Sequence, residues 1–439
     1  MHYDLIIKNG NCVLPWGQYE TGIGVFKGRI QSLSVHSSDD AEKIINAKGL
    51  YVLPGLMDCH VHFREPGNAM IETIETGTKA AAMGGLTTVF DMPNTNPPIA
   101  DKEMIIWKQE RARETSWVNF GFYVGATREN TQKLSNLETM KGVCGIKVYA
   151  GSSTGSLMVE DDESLENIMR YGHRRVCYHA EDEYRLQTRK KLFCEGMPYE
   201  NHRLWRDEEC AFLGTRRIIK LARKTGRPAH ILHTTTQEEL EWLVDYKDIA
   251  TVEVLGNHLT QIAPECYERL GGLAVMNPPI RDKRHYDACW RAIENGVVDI
   301  VSSDHAPHDP EAKAKPWLCC PSGMLGVQTL VPLMLNHVNE GRLSLGRLVD
   351  LMASNPARIY GMPTKGRIQV GYDADFTLID MKTNRRITND WIVSPVGWTP
   401  YDQMEVTGWP VATIVKGKIV MQDNEICGKP DGDLVDFLP

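Results

Sequence analysis

The chain has 439 residues, of which 42% are hydrophobic and 24% are charged, and its formal net charge is -8. This composition is typical of a soluble globular protein larger than one ordinary domain, and the lack of a basic stripe argues against nucleic-acid binding. The opening segment "MHYDLIIKNGNCVLPWG" has no signal-peptide pattern, and no apolar run approaches the ~18 residues that span a membrane. Eleven cysteines without CxxC pairs indicate reduced thiols. We therefore expect a cytoplasmic protein that binds neither membranes nor nucleic acid.

The two ends of the chain share a β-rich pattern. Residues 1–54 contain "YDLIIKNGNCVL" and "GIGVFKGRIQSLS", which Asn-Gly and Lys-Gly turns interrupt, and residues 362–439 contain "ADFTLIDM" and "VATIVKGKIVMQDNEIC". Short apolar stretches separated by such turns indicate β-hairpins. Because neither end carries a full core of its own, we expect the two to pair into one small β-sandwich domain.

Between these ends, residues 55–361 alternate short apolar runs with longer helical patterns. Continuous rather than alternating apolarity is typical of parallel strands that are covered on both faces. The pattern therefore predicts an α/β fold with a (β/α)8 TIM-like barrel over residues 55–361. The eight runs are "GLMDCHVHF", "LTTVFDMPN", "VNFGFYVGA", "GIKVYAG", "RRVCYHAED", "RPAHILHTTT", "IATVEVLGN" and "VVDIVSSDHAPH".

Histidines and an aspartate stand at the ends of these predicted strands, where barrels carry their chemistry. His60 and His62 point to the same face because the strand period is two, and His179, His233 and Asp304 end three further strands. Any one of these histidines alone could be a hydrogen-bonded structural residue. Together they indicate a metal site. His230, three residues before His233, is expected to point to the opposite face and away from the site.

Lys147, within the apolar run "GIKVYAG", is the least expected residue of this group. A lysine in such a strand costs desolvation, and a salt bridge or a side chain reaching out to solvent is the alternative explanation. Beside two cations its pKa should fall from about 10.4. A neutral amine can react with carbon dioxide to give a carbamate, which can bridge two metals as a carboxylate does. Imidazole and carboxylate ligands suit zinc.

Several longer motifs carry a resemblance that covers nearly the whole chain. They are "DCHVHFREPG", "DMPNT", "GIKVYAGSSTG", "RPAHILHTTT", "MNPPIR", "SSDHAPH" and "GWTPYDQMEVTGWPVATIVKGKIV". The chain resembles the amidohydrolase superfamily and, among its cyclic amidohydrolases, the dihydroorotases. His-x-His alone is shared by many amidohydrolases, whereas "HFREPG", "MNPPIR" and "SDHAPH" together are far more specific.

The resemblance implies two zinc ions bridged by a carboxylated Lys147. His60 and His62 are similar to the ligands of the first zinc, together with Asp304, and His179 and His233 to the ligands of the second. Asp304 is also implied as the catalytic residue, which moves a proton between the attacking water and the leaving ring nitrogen.

The resemblance also implies a set of substrate-binding residues. Arg64 is similar to the arginine that holds the substrate carboxylate, with Asn94 as its partner and His308 as a second cationic anchor. Asn277 is expected against the substrate ring, and Ser322 and Gly323 are expected to offer backbone groups. For Arg64 a structural ion pair with Glu65 is the alternative. The Gly/Ser-rich segment "GSSTGS", residues 151–156, is a candidate for a mobile loop over the substrate.

The activity implied is the reversible, zinc-dependent cyclisation of N-carbamoyl-L-aspartate to L-dihydroorotate in pyrimidine biosynthesis. One alternative is another cyclic amidase, such as a dihydropyrimidinase, hydantoinase or allantoinase. Arg64, Asn94 and His308 argue against it, because those substrates lack this carboxylate or present other groups. A second alternative is a catalytically inactive scaffold, and the complete set of candidate metal ligands argues against it. As partners we expect the small-molecule substrate, other copies of the chain in a dimer or tetramer, and possible association with an aspartate transcarbamoylase.

Overall fold

A computed structural model describes residues 2–36, 38–151 and 157–438. The described part of the chain opens with five strands that belong to one sheet: β1 (His2–Leu14), β2 (Gly17–Phe26), β3 (Arg29–Ser32), β4 (Asp40–Asn46) and β5 (Tyr51–Pro54). Antiparallel pairing joins β1 to β2 and β2 to β3, whereas β4 and β5 run parallel to β1.

Eight parallel strands follow and form the second sheet, in chain order around a barrel. Every residue of these strands is buried, as their continuous apolar pattern requires. The His62 amide donates to the His305 carbonyl at 2.7 Å, which joins the first strand to the chain just after the eighth. The predicted (β/α)8 barrel is therefore confirmed. Its strands are β6 (Leu56–Val61), β7 (Leu86–Asp91), β8 (Asn119–Gly125), β9 (Val143–Tyr149), β10 (Val176–His179), β11 (Ala229–Ile231), β12 (Ala250–Leu255) and β13 (Ile300–Ser302).

Four late strands complete the first sheet: β14 (Phe376–Arg386), β15 (Glu405–Val415), β16 (Lys418–Gln422) and β17 (Glu425–Ile426). Strand β14 pairs with β5, so the two chain ends share one nine-stranded sheet. The Ala374 amide donates to the Gly28 carbonyl and the Gly417 amide donates to the Ala374 carbonyl, at 2.9 and 2.8 Å. The segment just before β14 therefore links the turn between β2 and β3 to the turn between β15 and β16, and the sheet packs against one apolar core from both chain ends. This agrees with the predicted small β-domain from both ends.

The helices lie around the barrel and at its mouth. In the described part of the chain, nine helices begin at an Asp, Ser or Thr whose side chain accepts a backbone N–H of the first turn, the usual N-cap arrangement. Among the described residues no helix is both long and apolar enough to cross a membrane. The helices are α1 (Ile74–Met83), α2 (Lys102–Thr115), α3 (Leu134–Leu137), α4 (Asp162–Arg170), α5 (Glu183–Lys190), α6 (Asn201–Trp205), α7 (Glu208–Thr225), α8 (Gln237–Leu243), α9 (Gly256–Thr260), α10 (Glu265–Leu270), α11 (Lys283–Glu294), α12 (Pro310–Lys313), α13 (Leu330–Asn339), α14 (Leu345–Val349) and α15 (Asn355–Tyr360).

The last residues of the chain return to the barrel. The Phe120 amide donates to the Asp433 carbonyl at 2.8 Å, and the Val435 amide donates to the Phe120 carbonyl at 3.0 Å. The Phe437 ring lies 5.5 Å from the Phe90 ring, at the end of the barrel where β8 begins. Residues 431–438 thus cover that end of the barrel, whereas the sequence predicted that all of residues 362–439 belong to the small β-domain.

Candidate metal centre and substrate cavity

A cavity of about 590 Å³ lies at the C-terminal ends of the barrel strands. All twelve residues that the sequence predicted for the site line it. They are His60, His62, Arg64, Asn94, Lys147, His179, His233, Asn277, Asp304, His308, Ser322 and Gly323. Residues from seven strands and the loops after them meet here because parallel strands of a barrel all end at the same mouth.

Three of these side chains converge on one point. Asp304 Oδ1 lies 2.9 Å from His62 Nε2 and 3.3 Å from His60 Nε2, and the two Nε2 atoms are 3.2 Å apart. Ligand atoms of His60, His233 and Asp304 also lie within 4.8 Å of one another. Lone pairs of nitrogen and carboxylate oxygen gathered this closely in a buried place suit a cation.

The second pair of histidines adjoins this group. The His233 ring lies 4.5 Å from the His179 ring and 5.4 Å from the His60 ring, measured between centroids. Burial, followed by the nearby His179 and His60, lowers the pKa of His233 well below its ordinary value. A neutral imidazole with an available lone pair is the form that binds metal.

The imidazoles are fixed by acceptors on their far sides. His60 Nδ1 lies 2.8 Å from Glu253 Oε1, His62 Nδ1 lies 2.6 Å from Asn94 Oδ1, and His179 Nε2 lies 2.7 Å from Glu181 Oε2. An N–H donated to each acceptor leaves the other ring nitrogen as a lone pair. This is the arrangement by which histidine ligands are oriented and made more basic.

Backbone strain coincides with two of these residues. His233 has φ of 38° and Asp304 has φ of 51°, a left-handed conformation that non-glycine residues rarely adopt. Each lies two residues after the end of a short strand, β11 or β13. Such strain persists where the surrounding structure enforces it, and it is concentrated at functional sites.

Lys147 is buried in β9, and its Nζ has no hydrogen-bond partner among the residues that the structure describes. Burial lowers the pKa of Lys147 to about 8, against the opposing effect of Asp304 and Glu253. The expectation that two bound cations lower this pKa further stays a prediction, since desolvation already lowers it in the protein itself. An orphaned buried amine beside four imidazoles fits the predicted carbamate, because a carbamate would bring acceptors toward the same ligand cluster.

Burial by itself would raise the pKa of Asp304, but His60, His62 and Lys147 outweigh it and lower the pKa. Asp304 is therefore a carboxylate at neutral pH. Its contacts with the imidazoles use Oδ1, so that Oδ2 is the oxygen through which it can take a proton.

Arg64 lies at the edge of the metal ligands and is largely buried. Its Nε donates to the Pro307 carbonyl at 3.0 Å, and its Nη2 lies 3.3 Å from His308 Nε2. Among the described residues it forms no ion pair. The alternative pairing with Glu65 is wrong, because Glu65 pairs instead with Arg111 at 2.6 Å.

Two predicted neighbours of Arg64 differ in detail from the expectation. Asn94 accepts from His62 through Oδ1, which leaves its Nδ2 as a donor toward the cavity. His308 is not cationic: burial, followed by Arg64 and Lys313, lowers its pKa to about 3. It is therefore a neutral hydrogen-bonding group, placed 3.1 Å from the Ser322 carbonyl.

The backbone of Ser322 and Gly323 is already engaged. The Gly323 amide donates to the Val275 carbonyl at 2.9 Å. The Gly323 carbonyl accepts from Lys313 Nζ at 2.9 Å. The Gly323 amide and carbonyl are thus both engaged within the protein, and the expectation that Ser322 and Gly323 offer backbone groups to a ligand stays a prediction. The glycine is needed for another reason, because its φ is 149° and an added Cβ would lie 2.5 Å from the Ala306 carbonyl oxygen.

Asn277 is held by a chain of buried donors that the sequence did not suggest. Trp317 Nε1 donates to His202 Nδ1 at 3.2 Å, and His202 Nε2 donates to Asn277 Oδ1 at 2.9 Å. Burial, followed by Arg206, lowers the pKa of His202 to about 3, so the ring stays neutral. The amide of Asn277 is thereby oriented. No local pattern marks His202, since it lies on α6, outside the barrel strands.

His230 is not among the described residues that line the cavity, but it faces the barrel interior rather than the opposite face. Its Nδ1 lies 2.7 Å from Thr251 Oγ1, and its ring lies 6.1 Å from the buried Tyr360 ring. The expected alternation fails because β11 ends at Ile231, so His233 lies beyond the strand. Of the candidate mobile loop, residues 152–156 lie outside the described residues.

Comparisons with known proteins agree with this geometry. The amidohydrolase family model matches residues 51–420. A dihydroorotase of Methanosarcina mazei is 34% identical over 97% of this chain and 96% of its own length. A dihydroorotase of Bacillus subtilis is 34% identical over 96% and 99% of the two chains.

Solved structures extend the likeness to the whole fold. An L-hydantoinase (dihydropyrimidinase) from Arthrobacter aurescens superposes with a TM-score of 0.92 at 28% identity, covering 99% of both chains. A dihydropyrimidinase from Brevibacillus agri gives a TM-score of 0.90 at 25% identity, over 98% of this chain and 97% of that one. The chain belongs to the amidohydrolase family and, within it, to the dihydroorotase group.

Proposed function

We propose that this protein is a cyclic amide hydrolase that interconverts N-carbamoyl-L-aspartate and L-dihydroorotate. The single observation that carries the choice of substrate is Arg64, a largely buried guanidinium that faces the cavity and pairs with no carboxylate of the described residues. A buried charge without a partner is costly, and a substrate carboxylate would supply that partner through charge-assisted hydrogen bonds.

The metal centre would hold two zinc ions. His60, His62 and Asp304 would bind the first, His179 and His233 the second, and a carboxylated Lys147 would bridge them. When bound, the ions supply Lewis acidity, which polarises the substrate carbonyl and lowers the pKa of water. The orphaned Lys147 amine and the oriented imidazoles support this assignment.

Asp304 would move the proton. As a carboxylate at neutral pH it accepts a proton from the attacking water and then donates it to the leaving ring nitrogen. In the direction of ring closure the same oxygen takes the proton from the attacking nitrogen. The position of Asp304 against both His60 and His62 supports this role.

Arg64, Asn94 and His308 would orient the substrate. The guanidinium and the Asn94 Nδ2 donate to the carboxylate, and the neutral His308 adds a hydrogen bond. Asn277, oriented by His202, would contact the ring. Ser322 and Gly323 would form the wall beside it. With the carboxylate fixed, only one ring carbonyl can meet the metal centre.

The test is turnover with and without Arg64. Wild-type protein loaded with zinc should form L-dihydroorotate from N-carbamoyl-L-aspartate. In Arg64→Ala kcat/KM should fall by about 10²-fold or more, because hydrogen bonds to a charged group contribute about 1.5–3 kcal/mol each. Arg347→Ala, on α14 and outside the cavity lining, is the matched control. Turnover of dihydrouracil or hydantoin in place of dihydroorotate would refute the assignment and favour the hydantoinase alternative, which the structural neighbours make the second candidate.

In the cell we propose a cytoplasmic enzyme that forms a homodimer or homotetramer and that associates with an aspartate transcarbamoylase. Light scattering of the purified protein tests the oligomer, and a single-chain mass would contradict it.

A further inference from the structure

Lys108 is a lysine whose burial is not explained by the candidate metal centre. It lies on the inner face of α2, in the stripe of Ile105 and Ala112 that packs on the barrel, and none of its surface is exposed. A helix normally places apolar residues there. A charge in such a position requires partners that satisfy it.

The partners of Lys108 flank Arg64 in the chain. Lys108 Nζ donates to the Glu65 carbonyl at 3.0 Å and forms an ion pair with Asp91. Asp91 Oδ1 in turn accepts from the Phe63 amide at 2.9 Å. One buried ion pair therefore holds the N–H of Phe63, the residue before Arg64, and the carbonyl of Glu65, the residue after it.

Further contacts hold residues 63–65 in their observed conformation. The Glu65 carboxylate accepts from the Ile74 amide at 2.8 Å, at the start of α1, and from Arg111 at 2.6 Å. Beyond the segment, the Arg64 side chain is tied to the Pro307 carbonyl. Arg64 is thus fixed both through the backbone of its segment and through its Nε atom.

We propose that Lys108, together with Asp91, is a positioning residue for Arg64 and thereby sets the preference for a carboxylate-bearing substrate. This inference rests on the proposed function. Among the described residues that line the substrate cavity, neither Lys108 nor Asp91 is included, and the two reach Arg64 through their hydrogen bonds to its neighbours Phe63 and Glu65. A displacement of about 1 Å in a binding group can cost about 10²-fold in rate.

The decisive variant is Lys108→Met combined with Asp91→Asn. Removing both charges leaves no unpaired carboxylate in the core, and the introduced amide keeps an oxygen for the Phe63 N–H. Only the hold on the Glu65 carbonyl is lost. Lys79→Met is the matched control, since Lys79 on α1 lies 5.2 Å from the Trp117 ring and has no described contact with residues 63–65.

Kinetics separate positioning from general damage. In the double variant, KM for L-dihydroorotate should rise about 10-fold or more while kcat stays within about 3-fold. Zinc content and KM for dihydrouracil, which lacks the carboxylate, should not change. If the double variant does not fold, Lys108→Arg gives the same comparison. It keeps the ion pair, but it replaces the ammonium group, whose single nitrogen lies between two acceptors, with a planar guanidinium.

A readout without substrate keeps the two proposals apart. Amide hydrogen exchange over residues 62–66 should quicken about 10-fold or more in the double variant, and should remain at the wild-type rate in Lys79→Met. Wild-type protein that does not turn over dihydroorotate would refute the proposed function alone. Unchanged exchange, or a rise in KM that is equal for both substrates, would overturn the role of Lys108.

Discussion

Glu253 offers the sharpest test of the metal centre. It is fully buried in β12, and its Oε1 lies 2.8 Å from His60 Nδ1 and 3.1 Å from the His233 amide. Burial would raise the pKa of Glu253, but the pull of His60 and His230 outweighs it and lowers the pKa. One carboxylate thus orients a predicted ligand of the first zinc and the backbone of a predicted ligand of the second.

Glu253→Gln keeps the shape of the side chain and removes its charge. Loss of an acceptor of this kind weakens metal binding by about 10- to 100-fold, which corresponds to about 1.4–2.7 kcal/mol. The expected result is that zinc dissociates at a correspondingly lower chelator concentration in equilibrium dialysis, with metal content measured by atomic absorption.

Glu239→Gln is the control, because Glu239 is equally enclosed but accepts from Thr215 at 2.6 Å and from the Thr236 amide at 3.1 Å, away from the cavity. It should bind zinc as the wild type does. If Glu253→Gln also retained wild-type zinc affinity, the reasoning that Glu253 orients the His60 ligand would be wrong.

Two further predictions concern stability and the cavity wall. Burial lowers the pKa of His337 and of His285 to about 4. The stability that they contribute is therefore fully present above pH 6.5 and is lost as the pH falls toward 4. Urea midpoints should fall over that interval, and His337→Gln should flatten the slope; an unchanged slope would contradict this. Lys313 Nζ donates to the Val275, Pro321 and Gly323 carbonyls at 2.8–2.9 Å. Lys313→Met should lower the free energy of unfolding by about 2–4 kcal/mol and raise KM, whereas the exposed Lys315→Met should change neither. A wild-type urea midpoint in Lys313→Met would refute that role.

Much of the site could be predicted from the sequence because its residues lie at the ends of regular strands. The eight apolar runs specify parallel strands, and such strands end at one mouth of a barrel. A histidine or aspartate at the end of a run is therefore placed at that mouth before any long-range contact is known. This reasoning brought His60, His179 and Asp304 together correctly, and the period of two put His62 beside His60.

The same local reasoning failed where a strand stopped. The alternation that was expected to put His230 on the face opposite His233 counted past Ile231, the last residue of β11. The sequence pattern also did not predict that residues 431–438 return to the barrel after the small sheet is complete. Strand boundaries and returning segments depend on pairings with distant parts of the chain.

The sequence by itself determined the barrel, the small domain of both chain ends and the gathering of the candidate ligands, because periodicity and strand order are local properties. Only the tertiary structure decided what holds those residues in place. Glu253 meets His60 across 193 residues, and Lys108 meets Glu65 across 43. It also decided that His308 is neutral, since burial beside Arg64 and Lys313 lowers its pKa. Burial and long-range pairing arise when the barrel closes, and no window of sequence contains them.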